Sequence, residues 1–372
     1  MTAFKAIVEH SALVKVMGRV VRVVEKRNTI PILSNVLLEV EQDRIRLRAT
    51  DLDIEMTDAV KAEAAAKGST TVPAGLLHDV VRKMPAGSQI TIEQEGEVVV
   101  VKAGRSRFRL QTLPPSDFPN ISIGDMTHSF AIQAKDLHRL IKRVQFAIST
   151  EETRYYLNGI YLHTHKEGNV NHLRAVATDG HRLASVDVDL PEGAAGMPGV
   201  IVPRKTVGEV DRLFASTDGE IQVELSQGKI TFTSGDIVLV SKLIDGTFPD
   251  YGRVIPQNNE KTLKIGSKNL LEAVDRVATI SSERGRAVKV SLAEGKITLH
   301  VTNPDAGAAT EELEAEFTGD AMEIGFNSRY LHDILAEVQG ESVNVNLADP
   351  GSPTIFRGTD EGSLYVLMPM RV

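Results

Sequence analysis

One short stretch of the chain, RAVATDGHRLASV at residues 174–186, brings together side chains that can do chemistry. Asp179, Gly180, His181 and Arg182 place a carboxylate, an imidazole and a guanidinium in consecutive positions around a glycine. In a hydrolase, such a turn supplies a histidine base that an aspartate orients and an arginine that holds an anion. A hydrolase or metal enzyme that uses Asp179 and His181 is therefore one hypothesis.

Two other groups of side chains suggest metal binding. His163 and His165 alternate along a predicted strand, so both side chains point to the same face. Asp51 and Asp53 form a D-x-D pair after another predicted strand. Neither pair has an evident third ligand, and a divalent site needs more converging ligands. We interpret the aspartates as a solvated turn and keep metal binding by the histidines as an alternative.

Composition and motifs argue against most enzyme classes. The sequence contains no G-x-x-x-x-G-K-[ST], G-x-G-x-x-G, G-x-S-x-G or H-E-x-x-H motif. It has no cysteine, which excludes disulfides, thiolate zinc sites and cysteine nucleophiles and suits a reducing cytoplasm. No signal peptide is evident, and no apolar run approaches the roughly 20 residues of a membrane span. We expect a cytoplasmic protein without a catalytic site, a cofactor or a membrane partner.

The chain repeats one unit three times. Thr50, Thr178 and Thr302 each end a predicted β-hairpin, at spacings of 128 and 124 residues. The other repeated elements are opening helices at 12–27, 135–148 and 268–280, strand-to-helix segments at 70–84, 200–214 and 323–338, and second hairpins at 90–110, 221–243 and 343–367. This pattern predicts an α+β fold of three tandem domains, each a doubled helix-plus-hairpin unit, at 1–125, 126–257 and 258–372.

Basic residues cluster on equivalent helices of an acidic protein whose formal net charge is −8. At helical spacing they form one stripe in each of the first two opening helices: Lys15, Arg19, Arg22 and Lys26, then Lys135, Arg139 and Lys142. A solvated helix face is the simplest alternative for any one stripe. Recurrence in equivalent elements favours a polyanion bound through its phosphates, without base stacking or sequence specificity.

Comparison of the repeats shows which residues of the TDGHR turn recur in all three copies and which occur only in the second. The equivalent loops read ATDLDIE at 49–55 and VTNPDAG at 301–307, so the threonine and the aspartate or asparagine recur. We expect these two residues to bond the local backbone. Gly180, His181 and Arg182 occur only in the second copy. If copies two and three are neighbours, this loop and the apolar tail 365–370 line one groove, unless the tail only closes its own core.

These elements, taken in order, resemble a known family. The chain is similar over essentially its whole length to the bacterial β sliding clamps, the processivity subunits of DNA polymerase III. The motifs that carry the resemblance are IPILSNVLLEV (30–40), ATDLDIEM (49–56), GRSRFRLQTLPPSDFPN (104–120), RYYLNGIYL (154–162), ATDGHRLA (177–184), VIVPRK (200–205), FPDYGRV (248–254), EIGFN (323–327) and the terminal MPMRV.

The resemblance implies a non-catalytic homodimeric ring that encircles double-stranded DNA and contacts its backbone without sequence specificity. Polymerase subunits, the clamp loader, and repair and translesion polymerases would dock through linear motifs. A peptide-binding scaffold with no nucleic-acid role is a further hypothesis, which the basic stripes oppose. The residues expected to bind DNA are Lys15, Arg19, Arg22, Lys26, Arg27, Arg82, Lys135, Arg139, Lys142, Arg204 and Lys205.

The resemblance also implies a partner groove between the second and third domains and a dimer interface. The expected groove residues are Arg154, Tyr156, Leu157, Thr178, Gly180, His181, Arg182, Leu183, Pro249, Val254, Asn327, Tyr330, Val366, Met368, Pro369, Met370 and Arg371. The expected interface residues are Arg105, Arg107, Phe108, Leu110, Thr279, Ile280 and Glu311, with Phe108 and Leu110 as apolar contacts on an edge strand.

Overall fold

The structure is a computed structural model that describes residues 4–25, 29–121, 124–281 and 286–372. Two compact units make up the chain. The first unit comprises Met1–Ala134 and Arg212–Leu243, and the second comprises Lys135–Asp211 and Ile244–Val372. Among the described residues, no helix is long and apolar enough to cross a membrane.

Strands and helices alternate in the same order in each third of the chain. The first third contains β1 (Lys5–Glu9), α1 (His10–Val20), β2 (Asn35–Val40), β3 (Arg44–Thr50), β4 (Ile54–Ala64), β5 (Gly68–Pro73), α2 (Ala74–Arg82), β6 (Gln89–Glu95), β7 (Val98–Ala103) and β8 (Ser106–Gln111). The second contains β9 (His128–Gln133), α3 (Ala134–Lys142), β10 (Gly159–Glu167), β11 (Val170–Thr178), β12 (Arg182–Asp189), β13 (Val200–Pro203), α4 (Arg204–Phe214), β14 (Glu220–Leu225), β15 (Lys229–Ser234) and β16 (Ile237–Lys242).

The last third repeats this order with one additional strand, β21. It contains β17 (Lys261–Gly266), α5 (Ser267–Ala278), β18 (Ala287–Ala293), β19 (Lys296–Asn303), β20 (Gly307–Glu314), β21 (Glu316–Thr318), β22 (Met322–Asn327), α6 (Ser328–Glu337), β23 (Ser342–Leu347), β24 (Thr354–Arg357) and β25 (Ser363–Leu367). Each half of a domain is thus a strand, a helix and a run of further strands, which confirms the α+β fold and the doubled repeat.

Two of the predicted details are wrong. Each predicted first hairpin is followed by a further strand, such as β4 or β12, and each predicted second hairpin contains three strands, such as β6, β7 and β8. The first opening helix ends at Val20 instead of Arg27, and a short 3₁₀ turn follows at Val21–Val23. The run of β-branched valines from Val20 to Val24 explains the early end, because branching at Cβ restricts the side chain in a helix.

In the described part of the first unit, antiparallel strands form one extended sheet. Its main path runs β8-β7-β6-β1-β4-β16-β15-β14-β9, and β2, β3 and β5 branch from β4 through β3. The last strand of the second domain, β16, therefore pairs with β4 of the first domain. On α1, the buried residues Leu13, Val16, Met17 and Val20 recur at spacings of three, one and three, so one face of the helix packs inward.

The described part of the second unit holds the corresponding sheet for the later repeats. Its strand order is β13-β10-β11-β12-β25-β24-β23-β17-β21, and β20-β19-β18-β22 form a separate sheet. The pairing of β12 with β25 joins the second domain directly to the last strand of the third. Copies two and three are therefore neighbours, as the groove hypothesis required.

Candidate functional site

The TDGHR turn is held by its own side chains. The Thr178 hydroxyl donates to the Arg182 carbonyl oxygen over 2.7 Å and accepts from the Gly180 amide over 3.1 Å. Asp179 Oδ1 accepts from the amides of His181 and Arg182 over 2.9 and 3.1 Å. These bonds close the link between β11 and β12, so the threonine and aspartate are structural at this position.

The equivalent turn of the first domain has the same bonds. The Thr50 hydroxyl donates to the Ile54 carbonyl oxygen over 2.8 Å and accepts from the Leu52 amide over 3.0 Å. Asp51 Oδ1 accepts from the amides of Asp53 and Ile54 over 2.9 and 2.8 Å. The D-x-D pair is therefore part of a turn, as we interpreted it.

The third copy keeps only half of this arrangement. Asn303 Oδ1 accepts from the Asp305 amide over 3.1 Å. The Thr302 hydroxyl instead lies 2.9 Å from Nε2 of His300. The prediction that both recurring residues bond the local backbone is thus confirmed in the first two copies, and in the third for the asparagine.

Arg182 is buried and its guanidinium is fully engaged. Its Nε donates to Asp179 Oδ2 over 3.1 Å, and its Nη1 donates to Asp333 Oδ2 on α6 over 2.6 Å. Its Nη2 donates to the Phe146 carbonyl oxygen over 2.7 Å, and its Cζ lies 4.3 Å from the centre of the Tyr330 ring. Arg182 therefore ties the second domain to helix α6 of the third and holds the surrounding walls in place.

The same contacts argue against the hydrolase hypothesis. The Asp179 carboxylate contacts two backbone amides and Arg182, so it does not orient the imidazole of His181. The His181 ring is exposed and stacks at 6.0 Å on the Tyr330 ring instead. A histidine base needs a partner that fixes its tautomer and its direction. The turn presents an aromatic surface, not a catalytic dyad.

Among the described residues, the two histidines of β10 are not joined by a third metal-ligating side chain. Within the described ranges, no group of three or more histidine and carboxylate side chains is arranged to hold a metal ion. His163 Nδ1 lies 2.8 Å from the Thr164 carbonyl oxygen, and its Nε2 lies 2.9 Å from the Tyr251 hydroxyl. Both ring nitrogens of His163 therefore have protein partners.

The C-terminal tail lies beside the TDGHR turn. Strands β12 and β25 pair with Arg182 opposite Leu367, and the Met368 amide then donates to the His181 carbonyl oxygen over 2.9 Å. Two residues later, the Met370 amide donates to the Gly325 carbonyl oxygen on β22, also over 2.9 Å. The sequence prediction that this loop and the tail come together is confirmed.

The predicted groove residues divide into a buried floor and an open rim. Leu157, Leu183 and Val366 are almost fully buried and belong to one apolar cluster with Phe248 and Ile355. The rim residues Val254 and Met368 are 49% and 41% exposed. The other exposed members are Gly180, His181, Pro249 and Arg371, and the half-buried ones are Arg154, Tyr156, Thr178, Asn327, Tyr330, Pro369 and Met370. The tail therefore does more than close a core, since Met368, Arg371 and Val372 are exposed beyond Leu367.

The basic residues of the first unit differ in how readily they can meet an anion. Lys15 is exposed on α1, whereas Arg19 forms an ion pair with the buried Asp58 over 2.8 Å. Arg22 is exposed in the 3₁₀ turn that follows the helix. Arg82 lies at the end of α2, where it contacts Asp79 over 3.2 Å with both side chains exposed. Lys26 and Arg27 lie outside the described residues.

In the second unit, part of the predicted stripe is used for contacts within the protein. Arg139 donates from Nε to Asp360 Oδ2 over 3.2 Å, and Lys142 lies 3.6 Å from the carboxylate of Glu337. Lys135 at the start of α3 is exposed, as are Arg204 and Lys205, which open α4. The sequence spacing had placed Arg139 with the phosphate contacts, but its guanidinium joins the second domain to the third.

Two edge strands carry four of the predicted interface residues: Arg107, Phe108, Leu110 and Glu311. β8 is the last strand of the first unit's sheet, and β20 is the last strand of the sheet formed by β18 to β20 and β22. Of the two predicted apolar contacts on β8, Phe108 is 40% exposed and Leu110 is 3% exposed, so in a single chain only Phe108 offers open apolar surface. Arg107 contacts Glu95 over 3.0 Å within its own sheet, beside the exposed Arg105.

The residues predicted for the other side of this interface lie just beyond the end of α5 and on β20. Thr279 is exposed and Ile280 is half-buried just beyond the end of α5. Glu311 on β20 forms an ion pair with Arg276 over 2.6 Å. These residues lie on the outer strand and the adjoining helix end of the same sheet, which is the arrangement that an edge-to-edge contact requires.

Sequence reasoning missed the residues that hold the site together from a distance. Asp333, Phe146 and Asp360 contact Arg182 or Arg139, and although each lies within a repeated element, none of them was singled out from the sequence. Asp333 lies 151 residues from its partner along the chain. The acidic residues within α6 and just before β25 were the available signal, and they do not identify which acid meets which arginine.

Comparison with known proteins agrees with this geometry. Family models of the DNA polymerase III beta subunit match in tandem: the N-terminal domain at 4–122, the central domain at 131–250 and the C-terminal domain at 252–371. The boundary expected after residue 125 falls between two matches, whereas the one expected after residue 257 falls inside the third match.

Individual relatives match over nearly the whole chain. The beta sliding clamp of Caulobacter vibrioides is 49% identical and that of Escherichia coli K12 is 38% identical, each over 99% of this chain and 100% of the relative. A sliding clamp structure from Bartonella birtlesii, bound to griselimycin, has a TM-score of 0.97 at 48% identity and full coverage of both chains. The chain therefore belongs to the DNA polymerase III beta subunit family, the beta sliding clamps.

Proposed function

We propose that two copies of this chain close head to tail into a ring around duplex DNA, and that the ring docks its partners in the groove between the TDGHR turn and the C-terminal tail. As a beta subunit of DNA polymerase III, the chain is a non-catalytic processivity factor. We place it in the cytoplasm, where the polymerase works and where a chain without cysteine loses nothing to a reducing environment.

The observation that carries the ring is a strand pairing that occurs twice within the chain. Leu239 on β16 lies opposite Met56 on β4, and Tyr365 on β25 lies opposite Ala184 on β12. Met56 and Ala184 are 128 residues apart, the spacing of the threonines that end the first two hairpins. Each last strand of a domain thus pairs with the same strand of the preceding domain, in the same register.

The third instance of this pairing is left open within one chain. β8 is the last strand of the first domain, and β20 is the strand of the third domain that corresponds to β4 and β12. Phe108 pairs with Val101, seven residues earlier, just as Leu239 pairs with Phe232, seven residues earlier, and Leu239 and Tyr365 face equivalent positions of β4 and β12. Phe108 is therefore the counterpart of those two residues.

The position that faces Phe108 follows from the hairpins of the acceptor strands. Met56 and Ala184 each lie opposite the residue that precedes the hairpin threonine, namely Ala49 and Ala177. In the third domain, the residue opposite the position before Thr302 is Ala309. Continuing the repeated register places Phe108 of one copy opposite Ala309 of another.

The same register brings opposite charges together. It sets the exposed Arg105 of one copy opposite the exposed Glu312 of the other. An edge-to-edge contact of this kind satisfies two free strand edges and aligns opposite charges across the strands. Because it joins different surfaces of the two copies, each copy keeps one free edge for a second contact of the same kind, and we propose that two such contacts close the ring.

Exposed basic side chains support the contact with DNA. Lys15, Lys135 and Arg204 lie on helices that occupy equivalent places in the repeat. Lysine and arginine bind phosphates without reading bases, so the contact is independent of sequence and sensitive to salt. A ring holds DNA by enclosing it, so individually weak contacts are sufficient and the net charge of −8 is not an obstacle.

The groove is suited to apolar anchors of linear motifs. Its floor is a packed apolar cluster, and its rim carries Val254 and the flexible thioether side chain of Met368. Such a surface can accommodate the different apolar side chains of related linear motifs. The partners we propose are polymerase subunits, the clamp loader, and repair and translesion polymerases.

A titration of a fluorescent peptide with a Gln-Leu-x-Leu-Phe motif tests the groove. We expect saturable binding of one peptide per chain, and its loss in a variant that lacks Met368 to Val372. Val170→Ala is the matched control, because Val170 is also an exposed apolar residue but lies at the other end of β11. No binding to the parent, or equal binding to the shortened variant, would refute this groove.

A further inference from the structure

One side of the groove is formed by a segment that belongs to no strand. Pro249 and Val254 are rim residues, and the chain between them has only a short 3₁₀ turn at Tyr251–Val254. A segment without sheet hydrogen bonds needs side-chain contacts to keep one position. A rim that is held in place before binding costs less conformational entropy when a ligand arrives.

A stack of aromatic rings ties this segment to β10. The Tyr161 ring lies between the Phe248 ring, at 4.8 Å and 7° between planes, and the His163 ring, at 4.5 Å and 24°. Phe248 is buried in the apolar cluster of the groove floor. Gly199 lies so close to the Tyr161 hydroxyl that a Cβ at position 199 would overlap it. A glycine at position 199 therefore leaves the space that the tyrosine side chain occupies.

A hydrogen bond between His163 and Tyr251 fixes the 249–254 segment further. His163 Nδ1 lies 2.8 Å from the Thr164 carbonyl oxygen, which only accepts, so Nδ1 carries the proton. The Nε2 of the neutral ring then accepts from the Tyr251 hydroxyl over 2.9 Å. Tyr251 is therefore attached to β10 by a bond that requires one particular histidine tautomer.

The surroundings keep both groups neutral. Burial lowers the pKa of His163, and the neighbouring cation Arg174 lowers it further, while Asp187 has the opposite effect. Burial also raises the pKa of the Tyr251 hydroxyl, against a smaller opposite effect of a hydrogen bond with Arg174. A guanidinium only donates, so Arg174 leaves the hydroxyl hydrogen of Tyr251 for the imidazole. The hydroxyl-to-imidazole bond is thus available at neutral pH.

We propose that Tyr251 and His163 are positioning residues of the groove: their hydrogen bond holds the 249–254 rim ready for the ligand and so sets affinity without contacting it. This inference rests on the proposed docking function. It assigns a role in peptide affinity to a half-buried pair that joins the rim residue Tyr251 to His163 on β10.

Four variants in the same peptide titration test the inference. Tyr251→Phe keeps the ring and removes the hydroxyl, and we expect affinity to fall about fivefold, the effect of one net hydrogen bond. His163→Ala should weaken binding at least as much. His163→Gln should restore much of the affinity, because the glutamine carbonyl can accept at about the place of Nε2. His165→Ala is the control, since it changes the neighbouring histidine of the same strand.

A double-mutant cycle separates positioning from general damage. If both residues act through one bond, Tyr251→Phe combined with His163→Ala should lose little more than His163→Ala alone. Affinities within about twofold of the parent for Tyr251→Phe and His163→Ala would overturn the inference, and so would additive losses without rescue by glutamine. If the parent itself does not bind, the proposed docking function fails instead, and the two failures are distinguishable.

Discussion

Leu52 and Gly180 occupy the same position in two copies of one turn, and both have a positive φ, 80° and 88°. The amide of each residue donates to the hydroxyl of the threonine two positions earlier. Positive φ is uncommon for a leucine and easy for a glycine. The turn geometry is therefore imposed by the repeat, and the glycine at position 180 serves another purpose.

That purpose is to leave room for Arg154. A Cβ at Gly180 would lie 2.6 Å from Arg154 Nη1, whose guanidinium also donates to the Asp179 carbonyl oxygen over 3.1 Å. We predict that Gly180→Ala displaces Arg154 and lowers the free energy of unfolding by about 1–3 kcal/mol. Gly196→Ala is the matched control, because Gly196 has a φ of 75° but open space around its Cα. Urea unfolding measures both; equal losses would mean that the overlap with Arg154 has no effect.

Removal of Arg182 should be far more damaging than a change in one of its partners. Arg182→Ala leaves Asp179 and Asp333 without their partner in a largely buried site, and we expect a loss of about 3 kcal/mol in the free energy of unfolding. Asp333→Asn should cost less, because the amide oxygen still accepts. Urea unfolding of both single variants and of the double variant gives the coupling energy. A coupling near zero would contradict the contact between the second domain and α6.

Stability should fall as the pH falls below neutrality, in part because of His163. Burial lowers the pKa of His163 from 6.5, so the unfolded chain binds a proton at a higher pH than the folded one. The stabilisation is present above pH 6.5 and is lost as the pH falls towards the folded pKa. We predict a smaller decline between about pH 7.5 and pH 5.5 for His163→Gln than for the parent, measured as unfolding free energy. An identical decline would show that His163 is not shielded.

Two cations of the same helix should behave differently towards DNA. Lys135 is exposed, whereas Arg139 is paired with Asp360. Lys135→Ala should reduce the salt dependence of duplex binding by about 0.9 in log–log slope for each phosphate that is no longer neutralised. Arg139→Ala should leave that slope unchanged and lower stability. Anisotropy of a fluorescent duplex at several salt concentrations measures the slope, and a reduced slope for Arg139→Ala would place this arginine among the residues that bind DNA.

Much of the architecture can be predicted from the sequence because each element occurs three times. The threonines at 50 and 178 mark the same strand end, and the structure confirms their turns. Contacts between repeats are harder to predict from the sequence. Arg139 has the spacing of a phosphate-binding stripe, but the acid that pairs with it lies 221 residues away. Leu110 alternates with the arginines of β8 as an interface residue would, yet it turns into its own core. Periodicity predicts which face a residue takes, not which neighbour covers that face.

The ring can be tested directly because the chain contains no cysteine. β16 pairs with β4 in the same register as β25 pairs with β12, and continuing that register sets Phe108 opposite Ala309. The same register places Arg107 of one copy opposite Thr310 of the next. Both side chains are exposed. Directly opposed residues in an antiparallel pair have Cα atoms about 4.5–5.5 Å apart, within the range of a disulfide.

The decisive measurement is oxidation of a variant that combines Arg107→Cys with Thr310→Cys, read on a non-reducing gel. The account predicts a covalent closed dimer that reverts to single chains on reduction. The slipped pair Arg107→Cys with Ala309→Cys should cross-link poorly, because a shift of one residue turns the side chain to the other face. Cross-linking of the slipped pair alone, or of neither pair in a protein that still folds, would contradict the proposed ring.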